Sequence, residues 1–179
     1  MSERVRARPL LLAALALCVA HTLGAQSPSH ATMDSIGRAV QGFYTWYLPR
    51  FAHPRGRDVM MLAATKGPIP FDSVLVHWLR VDSTARARAK DEIDGLDGDP
   101  YLNAQDPCDA YTVKAVRARG SDVLVDVLGH GGCEAHRQPD ATVVLGVRAG
   151  RWTILDLLYP NQRNEALIAL LQRLHPKAR

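Results

Sequence analysis

The sequence lacks the marks of several large protein classes. Beyond residue 20 it has no apolar run that approaches the roughly 20 residues needed to span a bilayer. Its 22 basic and 18 acidic residues are mixed along the chain, without the dense basic face that nucleic acid requires. No G-x-S-x-G motif occurs, and the glycines at 129–132 open no helix, as a dinucleotide loop would. We therefore expect no nucleic-acid partner, no membrane span in the mature chain and no cofactor.

Residues 1–25 have the pattern of a secretion signal. Three arginines precede an apolar run at residues 10–20, and small residues then lead into polar Gln26. Cys18 lies within the run behind bulky Leu17, which argues against a lipoprotein anchor. The sequence therefore predicts export, cleavage near Gln26 and an extracytoplasmic location, either periplasmic or secreted.

The rest of the chain has the length of one domain. Without the signal, 19 basic and 17 acidic residues remain, which leaves a net charge of +2. Residues 26–33 are polar and predict a short flexible lead. Residues 34–175 then predict a single domain, because about 150 residues bury a sufficient core without help.

Helical periodicity comes first in this domain. Apolar residues spaced three and four apart predict a helix over 34–48, with Asp34 or Ser35 as its cap and Pro49 at its end. Two further helices are expected, a short one near 58–65 and a long one from 71 toward 93.

From residue 111 the apolar pattern alternates every second residue, as in strands. Four strands joined in two hairpins are predicted, at 111–119, 122–128, 141–148 and 151–159. A C-terminal amphipathic helix is expected at 167–174, opened by Asn161 or Asn164. Helices followed by hairpins predict an α+β fold, with the helices packed on a four-stranded antiparallel sheet.

Cys108 and Cys133 are the two cysteines that follow the signal. If residues 120–121 form the first turn, opposed residues have numbers that sum to 241, and so do 108 and 133. That register is a non-hydrogen-bonded pair with Cα atoms about 4.5 Å apart, a distance that a disulfide accepts. An exported chain with one cysteine pair therefore predicts a Cys108–Cys133 disulfide. A zinc site that adds His130 and His136 is the alternative.

The segment at 91–106, DEIDGLDGDPYLNAQD, is rich in aspartate. Calcium is the first interpretation, but no glutamate closes a loop of EF-hand spacing. We expect a structural role, in which the carboxylates and Gln105 bond backbone amides and tie this segment to the end of the second long helix. The candidate binding residues in the segment are Asp97, Asp99, Gln105 and Asp106.

Three segments of the sequence resemble one protein family. They are FYTWYL at 43–48, LDGDPYLNAQD at 96–106 and GRWTILDLLY at 150–159. Together they are similar to the domain-of-unknown-function 3828 family of exported bacterial domains, over most of residues 34–174. The resemblance implies a cone-like α+β fold of the nuclear-transport-factor-2-like or cystatin-like kind, in which a curved sheet wraps a long helix around a pocket. It implies no activity, and Tyr101 stands where phenylalanine is commoner in the motif.

Asp156 is the candidate catalytic residue. If residues 149–150 form the turn of the second hairpin, opposed residues have numbers that sum to 299. This register places Val143 opposite Asp156 and Ala141 opposite Leu158. Asp156 then shares an apolar strand face with Trp152, and desolvation there would raise its pKa, as at many functional sites. The alternative is a structural polar contact.

Two functional hypotheses remain open. The first is a non-enzymatic envelope module that binds a small ligand or another protein through Trp152, Asp156 and the candidate residues of the acidic segment. The second is a small enzyme of the cone-like fold that performs proton transfer or hydrolysis with Asp156 as the base. A second polar group within reach of a substrate at Asp156 would favour the enzyme.

Overall fold

A computed structural model describes residues 28–53, 58–89, 94–134 and 137–178. The predicted signal and His136 lie outside these ranges. Within them, no helix combines the length and the apolar character needed to cross a membrane.

The first helix, α1 (His30–Ala52), is longer than the sequence predicts. Ser29, rather than Asp34 or Ser35, caps it, because its hydroxyl accepts the backbone N–H of Thr32. The last four residues of the predicted flexible lead are therefore helical. Pro49 lies inside the last turn instead of ending the helix, where its missing N–H removes only one hydrogen bond of the ladder.

Two aspartates cap the next two helices. Asp58 accepts the N–H of Met61 at the start of α2 (Val59–Lys66). Asp72 accepts the N–H of Val74 at the start of α3 (Ser73–Arg88), which ends before the predicted limit.

The sheet has five strands in the order of the chain, and all neighbours are antiparallel. The strands are β1 (Ala110–Arg119), β2 (Asp122–His130), β3 (Ala141–Arg148), β4 (Arg151–Tyr159) and β5 (Glu165–Ala166). The prediction of four strands missed β5, which is two residues long and too short to show a period. The α+β class is confirmed.

The C-terminal helix α4 (Leu167–Leu174) begins without a side-chain cap of its own. Asn161 lies instead in a 3-10 helix, and Asn164 has a positive φ of 58° in the turn before β5, so neither opens α4 as predicted. A last 3-10 helix, Pro176–Ala178, follows α4.

Both hairpins contain a bulge that the turn-based registers miss. In the first, the predicted register holds from Arg119 back to Ala115 and shifts by one residue at Val113. The second shifts between Val144 and Leu145, so that Val144, not Val143, lies opposite Asp156. By the same shift, Leu158 lies opposite Thr142 rather than Ala141.

The sulfur atoms of Cys108 and Cys133 lie at disulfide distance, 2.00 Å, with Cα atoms 4.9 Å apart. The pair lies just beyond the first hairpin, where Gly129 passes directly over Cys108 and leaves no room for a Cβ atom. The two cysteines lie together as predicted, although the bulge shifts the ladder that led to the prediction.

The core lies between the helices and one face of the sheet. Alternate residues of β2 are buried, and each of the four helices contributes buried side chains to the same cluster. The cluster is rich in aromatic rings, and α1 contributes three of them, Phe43, Tyr44 and Tyr47. This aromatic group positions the acidic segment described next.

Candidate functional site

Tyrosine hydroxyls hold the turn at residues 100–102. Its three consecutive carbonyls accept hydrogen bonds, in order, from Tyr159 at 3.0 Å, Tyr44 at 2.9 Å and Tyr111 at 3.3 Å. Burial raises the pKa of each of these tyrosines, so the hydroxyls remain protonated donors. The three segments that resemble one family therefore meet at this turn.

Asp99 begins the turn and is the centre of the candidate site. Its Oδ1 accepts the backbone N–H groups of Tyr101 at 2.9 Å and Leu102 at 3.0 Å, and its Oδ2 accepts the hydroxyl of Tyr47. Burial raises the pKa of the Asp99 carboxyl to about 6, although these hydrogen bonds and Arg86 act in the opposite direction. The carboxyl therefore changes charge close to neutral pH.

A cavity of about 510 Å³ opens beside Asp99, between α1, α2 and α3, and we call it the Asp99 pocket. Its polar lining residues are Tyr47, Asp58, Ser83, Arg86 and Asp99. Its apolar lining residues are Phe51, Val59, Met60 and Ala87. The volume lies in the range of small-molecule sites, which are mostly apolar with a few placed polar groups.

Asp58 is the second carboxylate that lines the Asp99 pocket. Its Oδ1 caps α2 through the N–H of Met61, and its Oδ2 accepts the hydroxyl of Ser83 on α3. The capping bond fixes the direction of the carboxylate. A smaller cavity of about 150 Å³ adjoins the Asp99 pocket beyond Arg86 and reaches Asp97.

Comparison with known proteins adds no assignment. No family model, no curated protein and no solved structure matches this chain.

Asp82 links the pocket to the C-terminal end of the chain. This fully buried residue on α3 binds Nε of Arg86 through Oδ2 at 2.9 Å. Its Oδ1 lies 2.9 Å from Nε2 of His175 and accepts the N–H of Leu96 at 2.9 Å. Gly95, with φ of 117°, lets the chain pass beside Asp82 where a side chain would collide with the carboxylate. Arg86 is thus held between Asp82 and the Asp99 pocket.

The other candidates in the acidic segment differ from Asp99. Asp97, Gln105 and Asp106 are exposed, and their side chains make no hydrogen bond within the described ranges. Asp97 and Gln105 line a cavity of about 330 Å³ on the far side of Asp99, and Asp106 does not. The segment is tied to α1 through Asp99 and to α3 through the N–H of Leu96, rather than through Gln105 as expected.

Asp156 has the geometry of a helix cap. Its Oδ1 accepts the N–H groups of Leu157 at 2.8 Å and Ile168 at 3.1 Å. The bond to Ile168 caps the start of α4, because the N-cap residue of that helix, Ala166, has no side chain that accepts a hydrogen bond. Burial raises the pKa of Asp156, and these backbone hydrogen bonds partly offset the rise. Asp156 is not part of the Asp99 pocket.

Trp152 is half-buried in β4 opposite Val147, and it too lies outside the Asp99 pocket. Within the described part of the chain, no three His, Cys, Asp or Glu side chains are grouped to hold a metal ion.

Several residues of the site were not singled out in the sequence. They are Tyr47, Asp58, Ser83, Asp82, Arg86 and His175. Asp82 carried a readable signal, because it continues the apolar stripe of Leu75, Trp78 and Leu79 at helical spacing. A lone carboxylate on such a stripe requires a buried partner. Nothing in the sequence indicates that the partners are Arg86 and His175.

Proposed function

We propose that this protein is an exported, non-enzymatic module that binds a small ligand in the Asp99 pocket. The observation that carries the proposal is Asp99 itself, a carboxyl with a pKa of about 6 at the wall of a 510 Å³ cavity. Strongly shifted groups in concave sites are associated with binding and catalysis more than with surface structure.

The charge of the pocket favours a ligand with an amine. Among the described residues that line it, Asp58 and the ionised Asp99 are the two carboxylates, and Arg86 is the one cation. The charge of Arg86 is already balanced by Asp82, which is paired with it at 2.9 Å. The pocket is therefore acidic above pH 6, and Phe51 and Met60 provide an apolar wall for the body of the ligand. A small primary amine with an apolar body fits this arrangement.

The family and the location belong to the same proposal. We assign the chain to the domain-of-unknown-function 3828 family, with its cone-like fold. The three resembling segments contribute Tyr44, the turn at 100–102 and Tyr159 to one hydrogen-bond cluster, which supports this assignment. The Cys108–Cys133 pair supports export to an oxidising compartment, because disulfides persist there.

We do not extend the proposal to catalysis by Asp156. Unlike Asp99, Asp156 lines none of the three cavities described above, and its Oδ1 accepts the N–H of Ile168 as a helix cap does, which supports a structural role. An enzyme that uses Asp156 as its base is the alternative function, and it requires a substrate group within hydrogen-bond reach of that carboxylate.

Calorimetric titration tests the proposal with three matched probes: phenethylamine, phenylethanol and phenylpropionate. We expect phenethylamine to bind in preference to the other two. Asp58→Asn should weaken its binding about fivefold or more, because asparagine caps a helix as well as aspartate does but carries no charge. Asp122→Asn, which removes the same charge from a partly buried hairpin residue outside the pocket, is the control. Equal binding of phenylpropionate, or an unchanged affinity in Asp58→Asn, would refute the proposed site.

A further inference from the structure

A further cavity, of about 670 Å³, lies on another flank of α3, against α4 and the last 3-10 helix. We call it the basic pocket. It shares no lining residue with the Asp99 pocket. Its size also falls in the range of small-molecule sites.

Three cationic side chains line the basic pocket: Arg80 and Arg88 from α3, and Lys177 from the last 3-10 helix. Arg80 and Arg88 lie eight residues apart, with Thr84 between them, and so share one face of the helix. All three cations are exposed, and none makes an ion pair with a described residue. Among the described residues Asp94 is the single acidic one in the lining, so their side chains give the pocket an excess of positive charge.

The remaining wall of the basic pocket is largely apolar. Its apolar part is formed by Val81, Ala85, Leu174, Pro176 and Ala178, and the lining also includes His77, Thr84 and His175. The contact of His175 with Asp82 anchors the chain two residues before Lys177, and it thereby sets the position of this wall against α3. Cations and apolar surface therefore face the same space from two anchored elements.

We propose that the basic pocket binds a small amphipathic anion, a carboxylate or phosphate head on an aliphatic chain. Arg80, Arg88 and Lys177 contact the head, and the apolar wall around Leu174 contacts the chain. Guanidinium groups bind carboxylate and phosphate through paired N–H donors. This site is separate from the Asp99 pocket and selects the opposite charge, so it goes beyond the proposed function.

The concave shape favours a free molecule over an extended polyanion or a membrane surface. Elsewhere several arginines are neutralised in pairs, such as Arg117 with Asp126 and Arg173 with Glu165. Arg80, Arg88 and Lys177 make no ion pair with a described residue, and they are gathered around one cavity. This arrangement matches a single anionic head.

Calorimetric titration with decanoate and decyl phosphate, each below its critical micelle concentration, tests the proposal. Decylamine and decanol are the matched probes. We expect the two anions to bind and Arg80→Gln/Arg88→Gln to weaken them about tenfold or more. Added salt should weaken wild-type binding as well. The control, Arg38→Gln/Arg151→Gln, removes the same charge from exposed residues outside the pocket and should bind as wild type does.

Glutamine keeps helix propensity, so we expect the variant on α3 to retain its fold, which its melting temperature checks. Unchanged anion affinity in the folded α3 variant, or decylamine binding as tight as decanoate, would overturn the proposal. So would binding to phosphatidylglycerol vesicles without binding to either soluble anion, which would indicate a membrane surface. Asp58→Asn should leave decanoate binding unchanged, and this separates failure of the basic pocket from failure of the Asp99 pocket.

Discussion

Asp82 and His175 are 93 positions apart in the sequence, and their side chains meet at 2.9 Å in the interior. The contact joins α3 to the end of the described chain, and Asp82 also holds Arg86 at the edge of the Asp99 pocket. A single buried carboxylate therefore positions one wall of each of the two pockets.

His175→Leu should lower the free energy of unfolding by about 1–3 kcal/mol, because it removes a hydrogen bond from a buried carboxylate. Asp82 keeps Arg86 and the N–H of Leu96, so we expect the variant to fold. Urea unfolding measures the effect. His77→Leu, at an exposed position of α3, is the control and should change stability by less than about 0.5 kcal/mol. Equal stability of the two variants would show that the buried contact is not stabilising.

Asp99 should make stability depend on pH. Its folded-state pKa of about 6 lies above the ordinary 3.8, so the folded protein binds this proton more tightly than the unfolded chain does. This tighter proton binding adds roughly 2–3 kcal/mol to the free energy of unfolding. The addition is fully present below about pH 4 and is lost as the pH rises through 6.

Asp99→Asn removes this titration and keeps an oxygen for the N–H groups of Tyr101 and Leu102. The stability of the variant relative to wild type should therefore rise by about 2 kcal/mol between pH 4 and pH 7.5. Urea unfolding at the two pH values measures the change. A difference between variant and wild type that does not vary with pH would mean that the Asp99 pKa is not raised.

Asp156→Ala should lower the free energy of unfolding by about 0.5–2 kcal/mol, the usual effect of removing a helix cap. Asp156→Asn should lose less, because its amide oxygen can accept the N–H of Ile168. Thermal unfolding of both variants measures the effect, with Asp106→Ala, an exposed aspartate without side-chain bonds, as the control. If Asp156→Ala is as stable as that control, Asp156 does not cap α4.

The Cys108–Cys133 pair should be oxidised in the secreted protein. Intact-mass spectrometry should find a chain that begins near Gln26 and is two hydrogens lighter than its dithiol form. Replacing both cysteines by serine should lower stability by about 3–4 kcal/mol in the chain-entropy model, since the bridge closes a loop of 25 residues. Two thiols that titrate in the folded protein would argue against the bridge.

Much of the fold could be predicted from hydrophobic periodicity. The bounds of β3 and β4 match the prediction, and those of β1 and β2 differ by at most two residues. The register could not be predicted as well. In β3 Thr142 and Val144 are buried along with Val143 and Leu145, so both faces are covered and the pattern gives no sign of a one-residue shift.

The candidate site was predicted less completely than the fold. The acidic segment drew attention to Asp99, but its partner Tyr47 is 52 positions away and looks like one more apolar residue of a helix. Asp156 was correctly singled out as a carboxylate in an apolar strand, yet the same signal fits a cap and a catalytic base. Whether Asp156 is a cap or a base depends on where α4 begins in space, and no local pattern in the sequence predicts that position.

The pH dependence of phenethylamine binding, compared between wild type and Asp99→Asn, tests the central claim most directly. The carboxyl of Asp99 ionises as the pH rises through about 6, so its attraction for the ammonium group grows over that interval. We predict several-fold tighter binding at pH 7.5 than at pH 5 in wild type, and no such step in Asp99→Asn. Equal affinity at both pH values in wild type, or the same step in the variant, would contradict a ligand site at Asp99.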